Sequence, residues 1–109
     1  MISWEDFEKI DIRVGTVIEA REFPKAKKPA YQLKIDFGGA GIRQSSAQIT
    51  KFYEPASLVG RQVIAVVNFP PKNIAGFLSE CLVLGIYDEN NDVVLLEPGM
   101  KVSNGLKIG

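Results

Sequence analysis

The feature that most constrains the fold is the strict alternation of apolar and polar side chains from Tyr31 to Phe37. A period of two places every second side chain on the same face of a strand, so this segment predicts a strand with one face in the core. Gly15 lies inside an earlier apolar run and predicts a bend or bulge there. Further strands are predicted at 12–20, from 42, and at 63–67, 82–87, 93–96 and 106–108.

Two short helices are predicted beside these strands. The first begins at Ser3, because Asp6 occupies the capping-box position three residues later. Ser45 or Ser46 can cap a second helix, which runs through 52–53 and ends at Pro55. Short strands with a helix between the third and the fourth favour an all-β fold with short helices, a five-stranded closed barrel of the OB-fold type. An SH3-like barrel is the alternative.

The composition predicts a single globular domain over residues 1–109. Hydrophobic residues make up 46% and charged residues 24% of the chain, and no apolar run reaches the roughly 20 residues that a bilayer requires. The acidic start, MISWEDFEKID, lacks the basic and apolar regions of a secretory signal. We therefore expect a cytoplasmic protein without membrane insertion, whose single cysteine, Cys81, is buried and inert.

The residue types argue against catalysis. The chain contains no histidine, which removes the commonest general base and the triads built on it. The acidic cluster Asp88-Glu89 with Asp92 lacks the spacing and glycine of a calcium loop, so it is interpreted as a solvated turn. The glycine stretch GGAGIRQS matches neither the dinucleotide nor the phosphate-loop pattern. We predict a binding module, without enzyme activity, metal or cofactor.

The net charge of the chain gives no reason to expect nucleic-acid binding. Thirteen basic and thirteen acidic side chains give a formal net charge of zero, whereas nucleic-acid affinity rests largely on phosphate neutralisation. Lys25, Lys27 and Lys28 form one dense basic cluster, which leaves a local patch open.

Two segments carry candidate binding residues. RQSSAQITKFY, residues 43–53, supplies donors and acceptors that suit a peptide backbone or a base edge, or else a helix cap with surface polar residues. NFPPKNIAGFLSE, residues 68–80, places two prolines after a buried strand and is predicted as a stiff loop that resists joining a sheet. It presents Phe69, Ile74 and Phe77 to a ligand, or else folds these three into the core.

These segments resemble a known family. The stretches that carry the resemblance are FEKIDIRVGTVIEAREFPKAKKPAYQLKIDFG, RQSSAQITKFYEP and LVGRQVIAVVNFPPKNIAGFLSECLVLG. Together they resemble the CsaA-type chaperones, members of the wider tRNA-binding-domain superfamily, which is also found appended to methionyl- and phenylalanyl-tRNA synthetases. The sequences QSSAQIT and VNFPPK.IAGF.SE are specific, whereas DIRVG is shared across the superfamily.

The resemblance implies an OB-fold homodimer that binds unfolded or export-destined polypeptides, in concert with a SecA-type translocation motor. Trp4 and Phe7, on a helix too short to be stable alone, are predicted to form the dimer interface. The peptide-binding residues implied by the motif are Ser45, Ser46, Gln48, Asn68, Phe69, Pro70, Lys72, Ile74 and Gly76.

The alternative function is a structure-selective tRNA-binding protein. Its phosphate contacts would come from Lys25, Lys27, Lys28, Arg43, Lys51 and Lys72. The chain departs from the tRNA-binding branch, which has a Ser-Gly-Ile-like turn in place of 46–49 and Asn-Leu-Lys-Pro-like residues in place of 68–71. Asn73 stands where related chaperones often carry a longer side chain, and Asn91 stands at a turn position where glycine is frequent. A small-molecule or oligosaccharide module is a third interpretation.

Overall fold

The computed structural model describes all residues, 1–109, and consists mostly of short strands. The α-helices are α1 (Trp4–Glu8) and α2 (Pro55–Leu58), and Gly38–Ala40 forms a 3-10 turn. The strands are β1 (Ile12–Glu22), β2 (Tyr31–Asp36), β3 (Ile42–Ala47), β4 (Gln62–Val66), β5 (Lys72–Ile74), β6 (Phe77–Ser79), β7 (Leu82–Val83), β8 (Gly85–Tyr87) and β9 (Val93–Leu95). None of the helices has the length and apolar character needed to cross a membrane.

The main sheet is a nearly closed antiparallel barrel of five strands in the order β3-β2-β1-β4-β7. Single hydrogen bonds join its open side, where the Glu80 N–H donates to the Gln44 carbonyl at 2.8 Å and the Ser45 hydroxyl donates to the Cys81 carbonyl at 2.9 Å. This barrel, with its small N-terminal helix, is the OB-fold predicted from the sequence.

The core contains the apolar face of β2, as the alternation predicts. Tyr31, Leu33, Ile35 and Phe37 are each at most 4% exposed, and they pack with residues of β1, β4 and α2. All five residues of β4 are buried. Cys81 also belongs to the core, and burial raises the pKa of its thiol to about 11.

Gly15 does not form the predicted bulge. Its pairing with β4 is regular, and the irregularity in β1 lies between Val17 and Glu19. A side chain at position 15 would place its Cβ 2.6 Å from Ile35 Cγ2 and 2.7 Å from the Phe37 ring. The glycine therefore permits close packing of β1 against the core, which is the other common reason for glycine in a strand.

The second helix was predicted at the wrong place. The chain continues as strand β3 to Ala47, and α2 begins at Pro55, where the predicted helix was to end. The helix still lies between the third and the fourth strand. Ser45 and Ser46 form hydrogen bonds across the barrel and do not cap a helix. Pro55 suits the first position of α2 because the backbone N–H at that position has no intrahelical partner.

The predicted capping box of α1 and the predicted turn at 88–92 are both confirmed. The Asp6 N–H donates to Ser3 Oγ at 3.1 Å, and the Ser3 N–H donates to Asp6 Oδ2 at 3.0 Å, which lowers the pKa of Asp6. In the 88–92 turn, Asp88 Oδ1 accepts the N–H groups of Asn90 and Asp92. Asn91 there has a φ of 62°, the left-handed conformation that asparagine tolerates.

The C-terminal segment, residues 100–109, packs on the barrel without forming the predicted strand. Residues 106–108 contribute one isolated bridge, between Arg13 and Lys107, and the predicted strand 82–87 divides into β7 and β8. The Gly105 N–H donates to the Val14 carbonyl at 2.7 Å. The Gln62 amide donates to the Val102 carbonyl at 2.7 Å and accepts the Val102 N–H at 3.1 Å. The segment is thus held by one side chain of β4 and by backbone hydrogen bonds to Ile12 and Val14 of β1.

Candidate binding site

Residues 68–80 form a β-hairpin after the two prolines. Strands β5 and β6 pair with each other, outside the main sheet, and Ile74 pairs with Phe77 across a two-residue turn. Both turn residues, Ala75 and Gly76, have positive φ values, 49° and 85°, as a tight hairpin turn requires. The segment is therefore a two-stranded ribbon and not the stiff loop that the sequence predicted, although it stays outside the main sheet as expected.

The apolar side chains of this ribbon lie outside the core. Phe69 is 55% exposed, and Ile74 and Phe77 are half-buried. The Phe77 ring contacts Phe23 of the β1–β2 loop edge to face, with ring centroids 5.4 Å apart. The alternative in which Phe69, Ile74 and Phe77 fold into the core is wrong, because none of them joins the core cluster.

An open cleft lies between the hairpin tip and the β1–β2 loop. Its volume is about 560 Å³, and Phe23, Lys25, Gly76 and Phe77 are among its lining residues. A smaller recess of about 200 Å³ adjoins it on the face of β1, β2 and β3. Both are lined by Arg21, Gln32 and Phe77, so they form one continuous surface.

Charges on the floor of the recess are paired. Glu19 forms ion pairs with Arg21 and with Lys34, whose Nζ lies 3.2 Å from Glu19 Oε2. The hydrogen bonds from Lys34 and then Arg21 lower the pKa of Glu19. This carboxylate is therefore ionised and neutralised by its neighbours.

Three of the predicted site residues form hydrogen bonds within the protein itself. Ser45 is buried and donates its hydroxyl to the Cys81 carbonyl. The Asn68 amide donates to the Lys9 carbonyl at 2.8 Å and accepts the Asp11 N–H at 2.9 Å. The Arg43 guanidinium donates to the Val67 carbonyl at 2.6 Å and to the Ala40 carbonyl at 3.3 Å. The hydrogen bonds of Asn68 and Arg43 hold residues 67–68, directly before Phe69.

The other predicted peptide-binding residues are more accessible. Ser46 is half-buried beside the hairpin, where its N–H donates to Ser79 Oγ at 3.1 Å. Gln48, Pro70 and Lys72 are exposed, and Gly76 lines the cleft at the hairpin tip. The set is thus spread around the hairpin and does not form one pocket.

The lysines predicted for tRNA binding separate into two groups. Lys25 lines the cleft, Lys28 is exposed on the same loop, and Lys27 lines a neighbouring recess with Thr50, next to Lys51. Lys72 stands at the base of the hairpin, and Arg43 is used internally as described above.

Sequence reasoning missed Arg21 and Gln32, which line both the cleft and the recess. Gln44 lies in the candidate segment 43–53, and its amide joins the hairpin to the barrel by donating to the Leu78 carbonyl at 2.8 Å. The alternation of β2 already placed Gln32 on the polar face, which was the one available signal. No sequence pattern indicated the contact between Phe23 and Phe77, because the two residues are 54 positions apart in the sequence.

Comparison with known sequences decides the family. Residues 12–107 match the family described as "Putative tRNA binding domain". The chain belongs to the tRNA-binding-domain family. Its curated relatives in this tRNA-binding-domain family include the methionine–tRNA ligases of Pyrococcus furiosus, 38% identical over 98% of this chain, and of Porphyromonas gingivalis, 39% identical over 98%. The chain spans only 14% and 15% of the length of these two ligases.

Solved structures with the tRNA-binding-domain fold match over the full chain. The CsaA chaperone from Bacillus anthracis is 58% identical with a TM-score of 0.95, and each chain covers at least 99% of the other. The CsaA chaperone from Picrophilus torridus is 52% identical with a TM-score of 0.94 and complete coverage of both chains. The similarity to CsaA-type chaperones predicted from the sequence is confirmed.

Proposed function

We propose that this protein is a molecular chaperone that binds unfolded polypeptide at the β5–β6 hairpin and the adjoining cleft. The observation that carries the proposal is the exposed apolar surface of this ribbon, on which Phe69 is 55% exposed and Ile74 and Phe77 are half-buried. Capture of unfolded chain requires accessible apolar surface on an ordered body. The full-length similarity to CsaA chaperones supports the same function.

The hairpin presents this surface at a low cost in conformational entropy. Asn68 is tied to Lys9 and Asp11 on one side of Phe69, and two prolines with fixed φ follow on the other. Because Phe69 is held before a ligand arrives, little ordering of the protein opposes binding.

Phe69→Ala is expected to weaken binding of an unfolded peptide about tenfold, because the half-exposed ring would otherwise be buried by the ligand. Fluorescence anisotropy with a labelled apolar peptide measures this. Ile86→Ala is the matched control, since Ile86 is 57% exposed, compared with 55% for Phe69, and lies on β8, outside the candidate binding segments. Equal affinities for the wild type and Phe69→Ala would contradict the proposed site.

tRNA binding is the second candidate, and the grouping of Lys25, Lys27, Lys28 and Lys51 near one loop favours it. Each phosphate contact should lower log K by roughly 0.7–0.9 per unit of log salt concentration, whereas an uncharged apolar peptide should bind almost independently of salt. A salt series with tRNA and with the peptide separates the two functions. If the protein bound tRNA tightly and did not bind the peptide, tRNA binding would replace the chaperone function as the preferred proposal.

We also propose that two copies of the chain associate through α1. No residue of this helix is buried, and Trp4 is 73% exposed. The Trp4 and Phe7 rings, with centroids 5.8 Å apart, line a groove of about 260 Å³ together with Ile10 and Ile108. An apolar surface of this kind on a short, unburied helix is suited to an isologous contact with a second copy.

Trp4→Ala is expected to raise the dimer dissociation constant about 30-fold or more, because a buried interface tryptophan typically contributes 2 kcal/mol or more. Sedimentation velocity across a concentration series measures the change, with Phe52→Ala as the control. A wild-type protein that sediments as a monomer at micromolar concentration would contradict the dimer.

The export-linked part of the proposal rests on the sequence resemblance alone. It holds that the protein acts in the cytoplasm and passes export-destined precursors to a SecA-type motor. The same anisotropy titration, with a precursor segment in the presence and absence of the motor, tests this step. Competition without a ternary complex would count against it.

A further inference from the structure

We propose that the cleft selects unfolded segments in which acidic residues flank an apolar side chain. This inference rests on the proposed chaperone function and specifies its clients. It arises from the distribution of charge over the elements that build the cleft, which the net charge of zero conceals.

Three segments that contribute to the cleft or to the recesses beside it contain no carboxylate. They are residues 23–35, which form the β1–β2 loop and β2, residues 42–53, which contain β3, and residues 68–79, which contain the hairpin. All thirteen Asp and Glu residues lie elsewhere in the chain. The three segments carry seven of the thirteen cations, namely Lys25, Lys27, Lys28, Lys34, Arg43, Lys51 and Lys72. Lys34 is paired with Glu19, whereas the other five lysines are exposed and form no ion pair. The loop that carries Lys25, Lys27 and Lys28 is therefore the positive side of the cleft, opposite the acidic side at Glu22.

An apolar wall adjoins the lysines of the loop. Phe23 and Phe77 contact each other at one side of the cleft, and Lys25 lies two residues beyond Phe23. At most about 7 Å of chain separates them. A client side chain on the aromatic wall would therefore hold its near neighbours within reach of a lysine.

The carboxylates at the cleft favour a polypeptide over a polyphosphate. Glu19 is neutralised by Arg21 and Lys34, but Glu22 lines the cleft without an ion pair. A nucleic-acid strand carries a charge at every nucleotide and would be repelled by Glu22. A polypeptide can place its acidic residues at the lysines and an uncharged residue at Glu22. Gln32 has no side-chain hydrogen bond within the protein and is available for the client backbone.

The test uses three peptides that share one apolar centre and differ in flanking Asp, Ser or Lys residues. The wild type is expected to bind the Asp peptide most tightly and the Lys peptide least. Substituting Lys25, Lys27 and Lys28 together by Gln should weaken binding of the Asp peptide about tenfold, since each exposed ion pair contributes roughly two-fold, and should weaken binding of the Ser peptide by a much smaller factor. Lys101→Gln, an exposed lysine outside the three segments, is the control.

Each outcome separates this inference from the function on which it rests. Equal binding of the Asp and Ser peptides would overturn the selectivity while leaving the chaperone function intact. Failure of all three peptides to bind would contradict the chaperone function itself. If a single-stranded RNA displaces the Asp peptide, binds more tightly and shows the same loss in the triple variant, the positive face serves nucleic acid and the inference is wrong.

Discussion

Phe37→Ala is expected to lower the free energy of unfolding by about 3–5 kcal/mol, because it deletes a large ring that has no exposed surface. Phe37 follows the last residue of β2 and packs beneath Gly15. Its neighbours, Ile35 and Leu33, are themselves fully packed, so little of the resulting cavity can collapse. Chemical denaturation followed by circular dichroism measures the loss.

The size of this loss is large relative to the total stability of a small domain, which is roughly 5–15 kcal/mol. Phe52→Ala is again the appropriate control, since its half-exposed ring should cost less than about 1 kcal/mol. A Phe37→Ala protein as stable as Phe52→Ala would show that the ring contributes little to the core.

Gly105→Ala is expected to destabilise the protein by about 2–5 kcal/mol, through backbone strain and overpacking together. Gly105 has a φ of 90°, and a Cβ there would lie 2.3 Å from the Phe37 carbonyl oxygen. That atom belongs to the backbone and cannot rotate away. The facing residue, Gly38, is equally restricted, because its Cβ would lie 2.5 Å from the Asn104 carbonyl oxygen.

Gly39→Ala provides the matched control for this prediction. Gly39 is a close neighbour of the contact, but its φ is not in the left-handed region and a Cβ there would meet no atom within 4 Å. Thermal unfolding should therefore show a large decrease in midpoint for Gly105→Ala and a small change for Gly39→Ala. Equal unfolding midpoints for the two variants would show that the close backbone contact between Gly105 and Phe37 does not require glycine.

The strands with strong periodicity could be predicted because their pattern reports burial directly. The alternation in β2 and the continuous apolar run in β4 each have one physical explanation, a strand with one or both faces buried. The capping box of α1 is likewise a local interaction between Ser3 and Asp6. Each of these elements is determined by residues close to one another in the sequence, so it can be predicted from a short segment.

The elements that were misplaced depend on partners far away in the sequence. Ser45 and Ser46 favour a helix cap locally, but residues 79–81 bind them across the barrel and keep them in β3. The hairpin turn uses Ala75 at a positive φ, where asparagine or glycine would have been the recognisable signal. In both cases tertiary contacts override the local preference.

The binding surface was only partly predictable for the same reason. Asn68 and Arg43 are polar residues in a recognisable motif, yet their hydrogen bonds are made to backbone groups of the protein itself. The charge segregation is hidden in the net charge of zero, which sums the charges of the whole chain. It becomes visible only when they are counted over the elements that meet at the cleft.

The way the barrel is closed has a consequence for its motions. The β5–β6 hairpin is attached to β3 mainly by side-chain hydrogen bonds, from the Gln44 amide to the Leu78 carbonyl and from the Ser46 N–H to the Ser79 hydroxyl. Each such bond contributes about 1 kcal/mol, and the contact of Phe77 with Phe23 of the β1–β2 loop adds about 0.5–1.5 kcal/mol. We therefore expect the hairpin to separate from the barrel without global unfolding. Its amides should exchange with solvent through this local opening, while those of the β1–β2 ladder are protected up to the full stability of the fold. Strands β5 and β6 can thus adjust to a client, while Asn68 and the two prolines keep Phe69 in place at their base.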